Sequence, residues 1–144
     1  MTGALRAHQV LLVEDSPTDV LLLETSIELG QLPLQLRLAE DGMEALQQLE
    51  QDLTEGNLPE LILLDLNMPR MNGFEVLEAL KEREDYQNLR VVVLTTSAAS
   101  VDRERALELG AHAFVTKPFE FDRVIMLLGR VTSALNGQLE WHSV

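Results

Sequence analysis

Apolar residues recur along the chain in five short runs that predict β-strands. Four of these runs are nearly unbroken, which is typical of strands that are covered on both faces. The second run contains L-Q-L-R-L, which alternates between apolar and polar residues and predicts a half-exposed strand at a sheet edge. In chain order the runs are Val10–Val13, Leu34–Ala39, Leu61–Leu64, Val91–Leu94 and Ala113–Thr116.

Segments with helical periodicity follow each of these runs. Ser16 and Pro17 supply a capping hydroxyl and a first-turn proline, so the first helix begins there. Gly110 and the pair Asn136-Gly137 are typical helix ends. The helices are marked by Val20, Leu23 and Ile27; by Met43, Leu46, Leu49 and Leu53; by Phe74, Leu77 and Leu80; by the segment 101–109; and by the segment Phe121–Leu135. The strict alternation of strand and helix predicts a parallel α/β sheet with helices on both faces.

The composition favours a single soluble domain. With 144 residues, of which 46% are hydrophobic and 24% charged, the chain is long enough to bury one core. It contains no apolar run of the ~18 residues that a membrane crossing needs, and its lack of cysteine excludes disulfides and favours a cytoplasmic location. We predict an N-terminal extension at residues 1–8, a domain at 9–137, and a tail at 138–144 that carries the single tryptophan, Trp141.

The charge balance argues against nucleic acid and membrane partners. Asp and Glu number 24 against 11 Lys and Arg, which gives a formal net charge of −13. Binding to phosphate-rich surfaces relies on clustered basic residues, and an acidic surface repels them. We therefore expect neither a nucleic acid nor an anionic membrane as a partner.

Polar residues stand where four of the predicted strands end. In an open parallel sheet, ligands bind outside the carboxyl ends of the strands, so these residues are expected to share one rim. They are Glu14 and Asp15 after the first strand, Asp65 after the third, Thr95 and Thr96 at the end of the fourth, and Lys117-Pro118 after the fifth.

This set of residues predicts phosphoryl chemistry at Asp65. Three carboxylates that lie close together repel one another unless a cation intervenes, and ligands that are all oxygen favour Mg²⁺ or Mn²⁺. Lys117 adds a mobile positive charge, and Thr95 adds a hydroxyl. An aspartate in such a site can act as the nucleophile that accepts a phosphoryl group.

Four motifs resemble the CheY-like receiver domain of bacterial two-component response regulators. They are V-L-L-V-E-D-S at 10–16, L-L-D-L-N-M-P-R-M-N-G at 63–73, V-V-V-L-T-T-S at 91–97 and V-T-K-P-F at 115–119. The resemblance extends from about Gln9 to Leu135. It implies a flavodoxin-like fold, in which a five-stranded parallel sheet of order 2-1-3-4-5 is doubly wound with five helices.

The resemblance also implies the chemistry of the site. Asp65 would be the phosphoacceptor, and Mg²⁺ would be held by Glu14, Asp15, Asp65 and the backbone carbonyl of Asn67. Lys117 would pair with the phosphoryl oxygens. Many receivers carry aspartate where this chain has Glu14, a substitution that is compatible with metal binding.

The resemblance also implies a conformational switch. Thr95 would be the switch hydroxyl, and Phe114 the aromatic residue that follows it, although many receivers have tyrosine at that position. Asn67 and Ser97 would tune the lifetime of the phosphoryl group. The Lys117–Pro118 peptide bond would be cis.

The resemblance extends to partners. A sensor histidine kinase would dock near the first helix and the carboxyl rim, and the motifs, the 54–60 connection and the short tail are similar to those of regulators paired with bacterial phytochromes. Because no output domain follows Leu135, we expect the signal to pass to a downstream protein or a phosphotransfer protein. A homodimer would form through the face made by residues 98–137 and the tail.

Other interpretations remain open at this point. A Mg²⁺-dependent phosphatase or phosphotransferase would also use an aspartyl phosphate, but it usually needs an acid two residues after the nucleophile, where this chain has Asn67. A phosphorylation-independent adaptor would not need the full set of site residues. Trp141 is interpreted either as an aromatic in a disordered tail or as a contact with a partner or second subunit. His8, His112 and His142 share no metal-like spacing and are interpreted as structural or surface residues.

Overall fold

The computed structural model describes residues 6–144 and contains the five predicted strands and five predicted helices. The strands are β1 (His8–Val13), β2 (Leu34–Ala39), β3 (Leu61–Leu64), β4 (Arg90–Thr95) and β5 (Ala113–Thr116). The helices are α1 (Pro17–Gly30), α2 (Gly42–Glu55), α3 (Gly73–Lys81), α4 (Ser100–Glu108) and α5 (Phe121–Leu135). Two short 3₁₀ helices span Glu84–Tyr86 and Trp141–Ser143, and we call the second the tail helix.

Strand β1 begins two residues before the predicted start. His8 pairs with Leu34 of β2, and its backbone N–H donates to the carbonyl of Pro33 at 2.8 Å. His8, the last residue of the predicted N-terminal extension at residues 1–8, therefore belongs to β1. Its residues 1–5 lie outside the described part of the chain.

All five strands are parallel, in the order β2-β1-β3-β4-β5. This order confirms the fold class that the family resemblance implied. The alternating strand β2 lies at an edge, as its pattern predicted, while β1, β3 and β4 have neighbours on both sides. In the register, Val13 lies beside Leu64, so β1 and β3 end at the same level and bring their following residues together.

The alternation of side chains along each strand divides the core into two layers. One layer joins the sheet to α2, α3 and α4 and includes Leu11, Ile62 and Val93; the other joins it to α1 and α5 and includes Leu12, Leu63 and Val92. Fully burying such a side chain contributes about 1.5–3 kcal/mol. The central strands are thus fixed from both sides, and they hold the residues at their carboxyl ends in place.

The tail helix packs against the domain. Trp141 packs on the α1/α5 layer, and its ring meets that of His112 edge-on, with centroids 6.3 Å apart and planes at 62°. Arg130 of α5 donates to the carbonyl of Ser143 at 3.4 Å. Neither interpretation of Trp141 from the sequence foresaw this contact with its own domain. Among residues 6–144, no helix combines the length and apolarity that a membrane crossing requires.

Candidate functional site

The candidate site begins with Asp65, which directly follows β3. Its backbone N–H donates to the carbonyl of Val13 at 3.1 Å, so the strand pairing continues one residue past β3. The residue is only 5% exposed. A carboxylate at this depth needs partners, because a buried charge without them is costly.

Two further carboxylates approach Asp65 from the end of β1. Glu14 is 2% exposed, and its N–H donates to the carbonyl of Ala39 at 3.0 Å, while Asp15 is exposed. One oxygen from each of Glu14, Asp15 and Asp65 lies within 4.8 Å of the other two. The structure therefore brings together the three acids whose convergence the sequence predicted.

Lys117 supplies the positive charge at this cluster. Its Nζ lies 2.7 Å from Oε2 of Glu14, 2.8 Å from Oδ2 of Asp19 and 3.4 Å from Oδ2 of Asp65. The backbone N–H of Lys117 donates to the carbonyl of Thr95 at 2.8 Å, which ties the end of β5 to the end of β4. The ammonium of Lys117 thus forms ion pairs with three carboxylates.

Burial and these contacts shift the pKa values of Glu14 and Lys117. Burial raises the pKa of Glu14 to about 7; the hydrogen bond from Lys117 opposes this rise, and the charge of Asp65 adds to it. Burial alone would lower the pKa of Lys117, but the hydrogen bonds to Asp19 and Glu14 and the charge of Asp65 raise it above its ordinary value. The ammonium is therefore charged at neutral pH, and the acids around it are more numerous than it can neutralise.

Thr95 is fully buried at the end of β4. Its Oγ1 lies 3.4 Å from both Nδ2 of Asn67 and the backbone N of Ser97, each of which donates to it. Ser97 in turn donates from its hydroxyl to Oδ2 of Asp102 at 2.6 Å, in the first turn of α4. The hydroxyl of Thr95 thus connects the loop after Asp65 to the segment that leads into α4.

Phe114 lies in β5 with its ring in the layer that contains α4, and it is 8% exposed. Arg103 of α4 donates to its carbonyl at 3.0 Å. Thr95 and Phe114 belong to neighbouring strands, where Phe114 pairs with Val93. The two predicted switch residues therefore lie on adjacent strands beside α4.

The loop between β3 and α3, residues 66–72, is held closely at both ends. A Cβ on Gly73 would lie 2.6 Å from the carbonyl oxygen of Asp65, and a Cβ on Gly42 would lie 2.8 Å from that of Met71, so neither position has room for a side chain. Arg70 adopts a left-handed backbone conformation with φ of 64° and pairs with the buried carboxylate of Asp41, which also caps α2. These contacts fix the loop that carries Asn67.

The Lys117–Pro118 peptide bond is trans, so the cis bond implied by the family resemblance is wrong for this structure. The trans form is favoured by about 0.5–1 kcal/mol for a bond before proline. With this bond in trans, the side chain of Lys117 still reaches all three carboxylates. The placement of the ammonium therefore does not require the cis form.

Sequence reasoning missed Asp19, Asp41 and Arg70. Asp19 could have been found, because it stands three residues after the helix cap Ser16, and the first turn of α1 faces the rim where β1 ends. Its N–H donates to Oγ of Ser16 at 3.3 Å, which fixes that turn. Arg70 and Asp41 lie 29 positions apart and carry no shared local signal.

The donor set fits a hard divalent cation. Three carboxylate oxygens from Glu14, Asp15 and Asp65 lie close enough to share one ion, and Asp15 is open to solvent. Mg²⁺ typically takes one or two carboxylates and keeps several waters, which suits an exposed position beside buried ones. Zn²⁺ sites usually include Cys or His, and the three clustered acids include neither.

The comparisons with known proteins agree with this fold and site. The response regulator receiver domain model matches residues 10–128. The chain therefore belongs to the family of response regulator receiver domains, and it is part of a two-component signalling system.

The chain is similar to several response regulators, two of which are named for phytochromes. The chain is 37% identical over 110 residues to response regulator Rcp1 of Synechocystis sp., covering 75% of each chain. It superposes on the phosphorylated cyanobacterial phytochrome response regulator RcpA with a TM-score of 0.80 at 29% identity, over 90% of this chain and 94% of RcpA. The bacteriophytochrome response regulator AtBRR is 38% identical, with a TM-score of 0.68 over 87% and 94% of the two chains.

A solved structure of Rcp1 bears on the acidic cluster. It is the Mn²⁺-bound form, and it matches this chain with a TM-score of 0.73 at 32% identity, over 88% of this chain and 92% of Rcp1. Together with the three clustered acids, this likeness supports a divalent-metal site in the present chain.

Proposed function

We propose that Asp65 is the phosphoacceptor of a response regulator and receives its phosphoryl group from a sensor histidine kinase. One observation carries the proposal: a buried aspartate at the end of β3 lies within reach of two more carboxylates and of the ammonium of Lys117. Because the carboxylates outnumber the one ammonium, the site can bind a further cation, and the two cations together can then bind a tetrahedral dianion. Family membership supports the same chemistry.

The transfer is a displacement at phosphorus. An oxygen of Asp65 attacks the phosphorus of a phosphohistidine, a P–O bond forms, and the P–N bond breaks with its electron pair returning to the imidazole. The product on this chain is a mixed carboxylic–phosphoric anhydride. Because little covalent chemistry is left to the protein, its contribution is positioning and charge neutralisation.

The metal ligands we propose are Glu14, Asp15, Asp65 and the backbone carbonyl of Asn67. Bound Mg²⁺, or Mn²⁺ in its place, would neutralise the charge that the phosphoryl group brings to Asp65. The fixed loop 66–72 supports the role of Asn67, because its closely packed glycines and the Arg70–Asp41 pair hold the backbone near Asp65. Lys117 would contact the phosphoryl oxygens from the opposite side.

The proposed switch consists of Thr95 and Phe114. Thr95 would exchange its contacts with Asn67 and Ser97 for a hydrogen bond to the phosphoryl group, and Phe114 would then repack beside α4. Such a change is a shift between two populations, driven by the difference in phosphoryl affinity between them. Phe114 has no phenol hydroxyl, so the output must be carried by shape rather than by a hydrogen bond from this ring.

We propose that Asn67 and Ser97 tune the lifetime of the phosphoryl group. Asn67 lies two residues after Asp65 and its amide contacts Thr95, so it flanks the path of an attacking water. The hydroxyl of Ser97 is held by Asp102 in this structure, and its influence on water therefore depends on whether that contact persists after phosphorylation.

The proposed kinase partner is a bacterial phytochrome that docks near α1 and the carboxyl rim. Similarity to RcpA and AtBRR, which are named as a phytochrome and a bacteriophytochrome response regulator, supports this pairing. The signal would then pass to a downstream protein or to a phosphotransfer protein. Two apolar residues suit the docking of the kinase: Leu21 on α1 is 65% exposed, and Phe119 in the loop after β5 is 72% exposed.

A homodimer through the face made by residues 98–137 and the tail is a further proposal. Val101 and Met126 on this face are 71% and 65% exposed, which supports it. Trp141 already packs against its own domain and is a weaker candidate for the contact. Light scattering at micromolar concentration tests the idea, and a monomeric mass with and without phosphorylation would exclude it.

The phosphoacceptor proposal is tested by mass spectrometry after incubation with Mg²⁺ and acetyl phosphate or phosphoramidate. We expect one added phosphoryl group on the wild type, and none on Asp65→Asn or when Mg²⁺ is omitted. Binding of beryllofluoride, which mimics the phosphoryl group without being hydrolysed, separates a short lifetime from an inert site. Failure to take up either reagent would overturn the proposal.

A further inference from the structure

The contact between Lys117 and α1 involves a residue that the family resemblance does not assign. Asp19 lies in the first turn of α1, and its side chain is 22% exposed. Its Oδ2 is 2.8 Å from Nζ of Lys117, whereas Oδ2 of Asp65 is 3.4 Å away. The ammonium is therefore bound more closely by the first helix than by the proposed phosphoacceptor.

We propose that Asp19 is a positioning residue, which anchors the ammonium of Lys117 on the α1 side of the site and away from Asp65. The inference rests on the proposed function, because it concerns the same metal and phosphoryl site. A lysine side chain is long and flexible, so the position of its ammonium is set by the acceptors around it. Glu14 and Asp19 lie at normal hydrogen-bond distances from the ammonium, whereas Asp65 lies beyond that range.

Anchoring matters because the ammonium and a divalent cation compete for the same oxygens. Glu14 and Asp65 belong both to the proposed metal ligands and to the partners of Lys117. Without the charge of Asp19, the attraction of these two acids would draw the ammonium between them, into the space that the metal needs. Asp19 thus keeps the metal position accessible while leaving Lys117 within reach of a phosphoryl group.

Two simpler roles for Asp19 make different predictions. An acid in the first turn of a helix interacts favourably with the helix dipole, which would affect stability alone. The charge of Asp19 could also attract a metal directly, without Lys117. Both effects would be the same whether or not a lysine stands at position 117, whereas an effect through Lys117 would disappear with that lysine.

The test is a double-mutant cycle read by calorimetric titration with Mn²⁺. Asp19→Asn in the wild-type background is expected to weaken Mn²⁺ binding about fivefold. The same change in a Lys117→Met background is expected to weaken it less than about twofold, because no ammonium remains to compete. Glu28→Gln removes the same charge from an exposed position on α1 and should change Mn²⁺ affinity less than about twofold in either background.

A second cycle without metal tests the anchor itself. Urea unfolding of the same four proteins should show that Asp19→Asn lowers stability only when Lys117 is present. An equal loss in both backgrounds would reduce Asp19 to a helix-stabilising residue and overturn the inference. An equal weakening of Mn²⁺ binding in both backgrounds, or no weakening in either, would overturn it as well.

Failure of the proposed function gives a different result. If the wild type binds no Mn²⁺ and takes up no beryllofluoride, then the metal and phosphoryl site is wrong, and the inference falls with it. If the wild type binds both and Asp19→Asn is indistinguishable from it, then only the role of Asp19 is wrong.

Discussion

The two ends of the sheet differ in how their charged and polar side chains are paired. At the carboxyl end, the ammonium of Lys117 contacts Glu14, Asp19 and Asp65, and a fourth carboxylate, that of Asp15, lies beside Glu14 and Asp65. At the amino end, polar side chains have partners. Nδ1 of His8 lies 2.9 Å from Oε1 of Glu60, and its Nε2 lies 3.0 Å from Oδ1 of Asn136. His112 accepts from the backbone N–H of Val91 at 3.1 Å and packs against Trp141.

This difference separates stability from function. An excess of buried carboxylates lowers stability unless a cation is bound, so the carboxyl end retains charge that folding alone does not favour. The amino end has satisfied hydrogen bonds and an apolar contact from the tail. Substitutions at the two ends should therefore respond differently to added metal, and this difference can be tested.

The largest effect is expected from Lys117→Met. This change leaves three acids without their cation and should lower the free energy of unfolding by about 2–3 kcal/mol in metal-free buffer. Urea unfolding with and without Mg²⁺ measures the effect, and Mg²⁺ should restore much of the loss. The matched variant Asp65→Asn removes a negative charge from the same cluster and should lose no stability. A large loss in Asp65→Asn would contradict the picture of crowded carboxylates.

A smaller effect is expected from Trp141→Ala at the other end. The ring is partly buried against the α1/α5 layer, so its loss should cost about 1–2 kcal/mol, less than for a fully buried aromatic. Unfolding by urea measures this loss, which should not change when Mg²⁺ is added. Gln138→Ala, at an exposed position of the same tail, serves as the control. Rescue of Trp141→Ala by Mg²⁺ would show that the two ends are not independent.

The smallest expected effect is a pH dependence at His112. Burial lowers the pKa of His112, and the neighbouring charge of Arg90 lowers it further. Since the unfolded chain binds this proton more readily, stability falls as pH decreases below about 6.5 toward the depressed pKa of the folded state. His112→Asn keeps an acceptor for the N–H of Val91. Between pH 7 and 5, its melting temperature should fall by about 2–4 °C less than that of the wild type.

The control for this pH dependence is His142→Asn, since His142 is exposed in the tail helix. Its melting temperature should follow that of the wild type at each pH. If His112→Asn and the wild type show parallel curves, then His112 does not contribute to the acid sensitivity of the protein.

The sequence predicted what depends on local pattern. The strand β3 and the helix α5 begin and end where the apolar periodicity indicated, and Ser16 caps α1 as expected. Convergence of Asp65, Glu14 and Lys117 followed from the general rule that strand ends meet at one edge.

What the sequence did not predict depends on contacts between distant segments. The pairing of Arg70 with Asp41 joins two loops that share no periodicity, and the tail helix is too short to carry a pattern. Asp19 was missed for another reason: its place near the rim could be inferred from the cap at Ser16, but an acid in the first turn of a helix is common and does not by itself indicate a contact with Lys117.

The alternation of side chains along the strands places the site residues on opposite sides of the sheet. Continued past the strand ends, it assigns Glu14, Asp65 and Lys117 to the side of the sheet that faces α1 and α5, and Thr95 to the side that faces α4. Under the proposed function, the sheet would separate the site that receives the phosphoryl group from the α4 surface that passes on the signal, and the amide of Asn67 on Thr95 connects the two. Substitutions on the outer face of α4 would then change the downstream contact alone, whereas substitutions at Asp102 would also change the lifetime of the phosphoryl group through Ser97.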